Sequence, residues 1–159
     1  MGILLGSREP SLTASILLGG TDNRPWPAGL WGRIAGSLAA MEIWINPACS
    51  KCRSAVDLLD AEGAEYTVRR YLDDVPSPDE IRAVLDRLGL EPWDITRTQE
   101  AAAKELGLKD WPRDADSRER WVSALAEHPK LIQRPIITAD DGSAVVARTD
   151  EAVRDALSR

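Results

Sequence analysis

Two cysteines stand three positions apart in the stretch Asn46-Pro47-Ala48-Cys49-Ser50-Lys51-Cys52-Arg53, and the chain contains no others. A Cys-x-x-Cys pair suits thiol chemistry: one sulfur attacks, and the other resolves the adduct by closing a disulfide. The short apolar run Met41-Glu42-Ile43-Trp44-Ile45 ahead of the pair reads as a strand. After it, Ala55, Val56, Leu58 and Leu59 fall at helical spacing. Cys49 is thus expected where a strand turns into a helix, with Asn46 and Pro47 forming the turn. Free N–H groups at a helix start favour an anion, so a cysteine there tends to be a thiolate. Lys51 and Arg53 add positive charge nearby. Cys49, first and nearest the helix start, is the expected nucleophile; Cys52, one turn inside the helix, is the expected resolving thiol.

Other readings of the pair are weaker. Two small buried apolar side chains would not need a helix start with flanking cations. A zinc site usually takes four ligands, and the chain offers two cysteines and one histidine, His128. No metal is therefore expected, and His128 reads as a structural residue closing a helix.

Three arginines stand in suggestive places. Arg134 precedes Pro135 directly ahead of a strand, where a proline is tolerated and a cis bond would serve a tight turn. Arg97 follows Trp93-Asp94-Ile95-Thr96 in a loop, and Arg148 follows the last strand. Gathered around one thiolate, they could hold a small tetrahedral oxyanion, because guanidinium forks match its geometry and stay charged.

The surrounding elements say whether such a gathering is feasible. A strand at about 42–46, a helix at about 50–62 ended by Gly63, and a strand at about 65–71 make a βαβ unit, right-handed by rule. Ser77-Pro78-Asp79-Glu80 is a capping box with proline at the first helical position. Ile81, Val84, Leu85 and Leu88 then mark one helix face up to Gly89. Helices are predicted at about 99–106 and 117–127, the latter burying Trp121, Val122 and Leu125. Ile136 to Ala139 and Ala144 to Ala147 flank Asp140-Asp141-Gly142-Ser143, a hairpin signal. Thr149 can cap a last helix carrying Asp150 and Glu151 in its first turn. The order βαβ, helical insert (about 77–128), ββα is that of a thioredoxin-like α/β domain with a four-stranded mixed sheet. In this topology the loop at Arg134 lies beside the cysteine turn.

The 159 residues suit one domain with an appendage. Residues 1–40 hold 7 of the 11 glycines and no sustained periodicity, and are expected to be a poorly ordered extension ahead of a domain at 41–159. The natural start could even be Met41. A net charge of −6 argues against a general nucleic-acid binder. No apolar run approaches the roughly 18 residues that span a bilayer. A membrane role is therefore not expected, and two cysteines so placed suit a cytoplasmic redox pair better than a secreted scaffold.

From Glu42 onward the chain resembles the arsenate reductase family of the glutaredoxin-linked, thioredoxin-like type. The shared pieces are Asn46-Pro47-Ala48-Cys49, Tyr71-Leu72, Pro76-Ser77 with Glu80, and Glu105-Leu106-Gly107-Leu108. The most specific is His128-Pro129 with Leu131-Ile132-Gln133-Arg134-Pro135-Ile136. The resemblance implies reduction of arsenate to arsenite by a Cys49 nucleophile, with Arg97, Arg134 and Arg148 holding the oxyanion and a cis Arg134-Pro135 bond. Two departures stand out. A histidine that often tunes the thiol ahead of the motif is replaced by Ile45, and Cys52 is a second thiol that such reductases commonly lack.

The expected reductant is external: a glutathione- or mycothiol-type thiol, a glutaredoxin or a thioredoxin, with no bound cofactor and a monomeric protein. The family is broad, and it includes Spx-type regulators, which use a Cys-x-x-Cys switch while binding RNA polymerase. Two further functions are therefore carried: a glutaredoxin-like disulfide reductase, and a non-enzymatic redox switch binding a partner protein.

Overall fold

The computed structural model describes residues 41–159; the extension expected at 1–40 lies outside the described residues. Strand β1 (Glu42–Ile45) leads into helix α1 (Ser50–Ala61), and the chain returns as β2 (Thr67–Arg70). Helices α2 (Pro78–Leu88), α3 (Ala101–Glu105) and α4 (Arg118–Glu127) follow, with short 3-10 turns at Leu108–Asp110 and Pro129–Leu131. Strands β3 (Ile136–Thr138) and β4 (Ala144–Val146) form a hairpin, and α5 (Asp150–Leu157) closes the chain. The sheet order is β2-β1-β3-β4, with β1 parallel to β2 and the other pairs antiparallel. The thioredoxin-like order and the mixed sheet read from the sequence are those observed.

Central position explains the composition of β1 and β3. Both are hydrogen-bonded on two sides, and Ile43, Trp44, Ile45, Ile136, Ile137 and Thr138 are all buried. Side chains alternate across a strand. Trp44 and Ile136 join the larger core with Tyr71, Ile81, Leu85, Trp121, Leu125 and Leu131, roofed by the helical insert. The insert closes around Trp121, which meets Trp93 and Trp111 edge-on at 6.1 and 5.4 Å between ring centroids. Ile43, Ile45 and Ile137 alternate to the opposite face, where α1 and α5 pack together.

Helix ends follow the local signals. Ser77 and Glu80 form a complete capping box ahead of α2, and Gly89 ends the helix in the left-handed region at φ 64°. Thr149 caps α5 by accepting from the Ala152 N–H. Arg69 ties β2 to the start of α2 through a two-pronged contact with Glu80, at 2.8 and 3.2 Å.

Several boundaries differ from the sequence reading, and three of them bear on the site. β2 stops at Arg70 rather than about 71, because it pairs only with β1, and that pairing ends at Ile45↔Arg70 where the cysteine turn begins. Tyr71 is therefore a buried turn residue, not a strand residue. Helix α3 is shorter than 99–106, since the Glu100 N–H donates back to the Arg97 carbonyl and the first residues form a turn. Ala147 separates Arg148 from β4 and donates its N–H to the Pro135 carbonyl at 2.9 Å.

Candidate active site

The turn after β1 is fastened by two bonds. The Ala48 N–H donates to the Asn46 side-chain oxygen, and the Cys49 N–H to the Asn46 carbonyl, each at 2.9 Å. An asparagine side chain that imitates a backbone turn in this way is a standard local device. It leaves Cys49 in extended conformation as the residue just before α1. Cys49 is partly exposed and Cys52 fully buried; both are free thiols.

The two sulfurs have opposite electrostatics. Partial burial pushes the Cys49 thiol up, but hydrogen bonds from the Cys52 N–H, the Cys52 thiol, the Arg134 guanidinium and the Lys51 N–H outweigh it. The net shift is downward. At Cys52 burial dominates and raises the thiol to about 12, against the Asn46 N–H, which approaches its Sγ at 3.4 Å. The negative charge on Cys49 raises it further. The help expected from the flanking cations is thus corrected in one respect. Lys51 acts through its backbone, and its side chain and Arg53 are exposed.

Sheet register brings Arg134 to the thiol. Trp44 pairs with Ile136 across the antiparallel β1–β3 ladder, so the residues before Ile136 face those after Trp44. The Arg134-Pro135 bond is cis. The Arg134 Nη1 donates to the Tyr71 hydroxyl and the Lys130 carbonyl, each at 3.4 Å, and Tyr71 donates onward to the Ile132 carbonyl.

The other two arginines arrive by a different route. The segment at Ile95–Arg97 lies antiparallel to Leu131–Gln133, through a Thr96↔Ile132 bridge, Arg97 N–H to Leu131 carbonyl at 2.7 Å and Gln133 N–H to Ile95 carbonyl at 2.8 Å. Arg97 and Gln133 are thereby neighbours, and Arg148 Nη1 donates to the Gln133 side-chain oxygen at 2.7 Å. Thr96, Arg97, Thr98, Gln99, Gln133 and Arg148 line a cleft of about 310 Å³.

The structure therefore places Cys52 and Arg134 near enough to Cys49 to shift its thiol, on a frame built by Asn46, Pro47 and Pro135. Arg97 and Arg148 share the neighbouring cleft rather than touching the sulfur. His128 ends α4, its N–H donating to the Ala124 carbonyl. Among the described residues no group of three His, Cys, Asp or Glu is placed to hold a metal, and no helix is long and apolar enough to cross a membrane. Three residues that touch the arginines were not singled out in the sequence as site residues. Tyr71 was visible only as part of a shared motif. Gln133 had the signal of its place beside Arg134. Glu100, which accepts from Arg97 Nε at 2.9 Å, was marked only by its spacing three residues after Arg97.

Residues 44–156 match the sequence model of the ArsC family. The chain belongs to the ArsC family. A protein of Streptomyces viridochromogenes, described as an uncharacterized protein in the glnII region, is 86% identical over 119 residues, covering 75% of this chain and all of that protein. An arsenate reductase of Neisseria meningitidis is 37% identical over 118 residues, 74% of this chain and 97% of its own length. Among solved structures, an arsenate reductase from Vibrio cholerae superposes with a TM-score of 0.66 at 38% identity, covering 72% of this chain and 95% of that one. This ArsC-family domain and that structure share the thioredoxin-like fold.

Proposed function

We propose that this ArsC-family protein is a thiol-dependent arsenate reductase in the cytoplasm, with Cys49 as nucleophile and Arg97, Arg134 and Arg148 as oxyanion ligands. What supports the reading is an Arg134 guanidinium near enough to Cys49 to lower its thiol, beside a cleft lined by the other two arginines. A group that stabilises the thiolate and also presents donors to an incoming oxyanion aligns nucleophile and electrophile.

The chemistry follows from those positions. The Cys49 thiolate attacks As(V), an As–S bond forms, and one oxygen leaves as water after taking up a proton. A second thiol then attacks the Cys49 sulfur. The S–S bond forms, the As–S bond breaks, and its electron pair stays on arsenic as arsenite. Cys52 is the nearest candidate for that second thiol, and its hydrogen bond with Cys49 supports the role. Charge on the Cys49 sulfur is one of the factors that keep Cys52 protonated, so adduct formation eases its ionisation. A glutaredoxin, a thioredoxin or a glutathione- or mycothiol-type thiol then restores the dithiol, and the protein acts as a monomer without bound cofactor.

The Cys49–Cys52 contact also favours a second reading, disulfide reduction in the manner of a glutaredoxin. Arg134→Ala separates the two. Under the first, arsenite production falls by about a hundredfold or more, the scale of losing one oxyanion donor. Under the second, thiol–disulfide exchange slows only modestly, and arsenite production is absent from the wild type as well.

A further inference from the structure

Glu100 sits between two of the three arginines. Its Oε1 accepts from Arg97 Nε at 2.9 Å and lies 3.8 Å from Arg134 Nη2. All three side chains are largely buried, at 27% exposed for Glu100, 25% for Arg97 and 13% for Arg134. Among the described residues, no other carboxylate forms an ion pair with Arg97, Arg134 or Arg148.

The backbone shows that this placement is not a by-product of capping. Glu100 immediately precedes α3 in extended conformation, at φ −65° and ψ 151°, yet its carboxylate makes no bond to the first turn of that helix. Glutamate is not among the residues favoured there, whose shorter side chains reach the free N–H groups. Here the carboxylate turns to the guanidiniums instead. Arg134 Nε is buried and has no acceptor.

We propose that Glu100 sets the affinity of the oxyanion site: it is a tethered carboxylate that occupies the Arg97–Arg134 pair and must be displaced by an incoming oxyanion. The inference rests on the reading of these arginines as oxyanion ligands. Guanidinium forks hold tetrahedral oxyanions of equal charge about equally well. A covalently attached competitor weakens all of them alike, because it is present at high effective concentration. Glu100 therefore lowers the occupancy of the arginine pair by any free oxyanion, sulfate and phosphate included.

The test uses sulfate as probe and the full chain. Sulfate protection of Cys49 against iodoacetamide is titrated in wild type, Glu100→Gln, Glu100→Ala and Arg97→Ala. Glu100→Gln is expected to reach half-protection at about fivefold lower sulfate, the upper end of what one partly exposed ion pair contributes. Glu100→Ala should shift in the same direction, with protection in each protein taken relative to its own alkylation rate without sulfate. In turnover, the arsenate KM should fall in Glu100→Gln without a rise in kcat. Unchanged or weaker protection in both Glu100 variants, with protection lost in Arg97→Ala, overturns the role of Glu100 and leaves the arginine site standing. Protection that survives Arg97→Ala, or is absent from every protein, overturns the arginine site and the role of Glu100 with it.

Discussion

The cysteine turn and the arginine cleft are neighbours built by different means. What lowers the Cys49 thiol comes from within one turn of chain, with one addition, while burial in the core raises Cys52. Asn46 fastens the turn, the N–H groups of Lys51 and Cys52 face the first sulfur, and only Arg134 reaches in from elsewhere. The cleft has no such local origin. Arg97, Gln133 and Arg148 belong to three loops, joined by a bridge at Thr96↔Ile132, the hydrogen bond between Ala147 and Pro135, and the Arg148–Gln133 contact. Nucleophilicity is thus a short-range property here, whereas oxyanion binding depends on the whole sheet and its insert being assembled.

The sharpest way to break the comparison is to titrate the two thiols separately. With Cys49 below the ordinary 9.0 and Cys52 near 12, their thiolate fractions at neutral pH differ by about a thousandfold or more. A low-pKa thiolate is intrinsically less nucleophilic, which offsets roughly half of that difference on a logarithmic scale. Peptide mapping after iodoacetamide at pH 7 is therefore expected to find Cys49 modified at least about thirtyfold faster than Cys52. The Cys49 rate should fall as pH drops through its lowered pKa, because the reactive thiolate exists above that value. Equal rates would mean that the local turn does not distinguish the sulfurs.

How much of this was legible in the sequence follows the same division. Strand, turn and helix around Asn46 to Arg53 could be read directly, because hydrophobic spacing and one asparagine specify them locally. The capping box at Ser77 and the cap at Thr149 were legible for the same reason. The arginines could be named from a motif, but not that Arg134 acts on the Cys49 thiol while Arg97 and Arg148 line the cleft, because that depends on the β1–β3 register and the zipped loops. Glu100 was hidden for a related reason. The helix predicted at about 99–106 took it in as one more helical residue, and only the folded chain shows it ahead of α3 and turned toward Arg97 and Arg134. The end of β2 was missed because it is set by the length of its partner β1, not by its own residues.

A smaller effect is expected from the insert. Ser77→Ala removes the side-chain half of the capping box at α2, which costs about 1 kcal/mol in such contexts. Urea denaturation should show this as a lower midpoint at unchanged slope, with the Cys49 alkylation rate as in wild type. A change in that rate would show that the thiol environment depends on the insert, contrary to its local origin.

The most direct measurement is arsenite production from arsenate by the purified protein. Thioredoxin and glutaredoxin systems are supplied separately, with Cys49→Ser and Cys52→Ser assayed beside wild type. The account predicts turnover by the wild type and none by Cys49→Ser, with loss in Cys52→Ser assigning the second thiol to the chain itself. No arsenite with either reductant, while Cys49 and Cys52 still cycle between dithiol and disulfide, would contradict it and leave a general thiol-exchange protein.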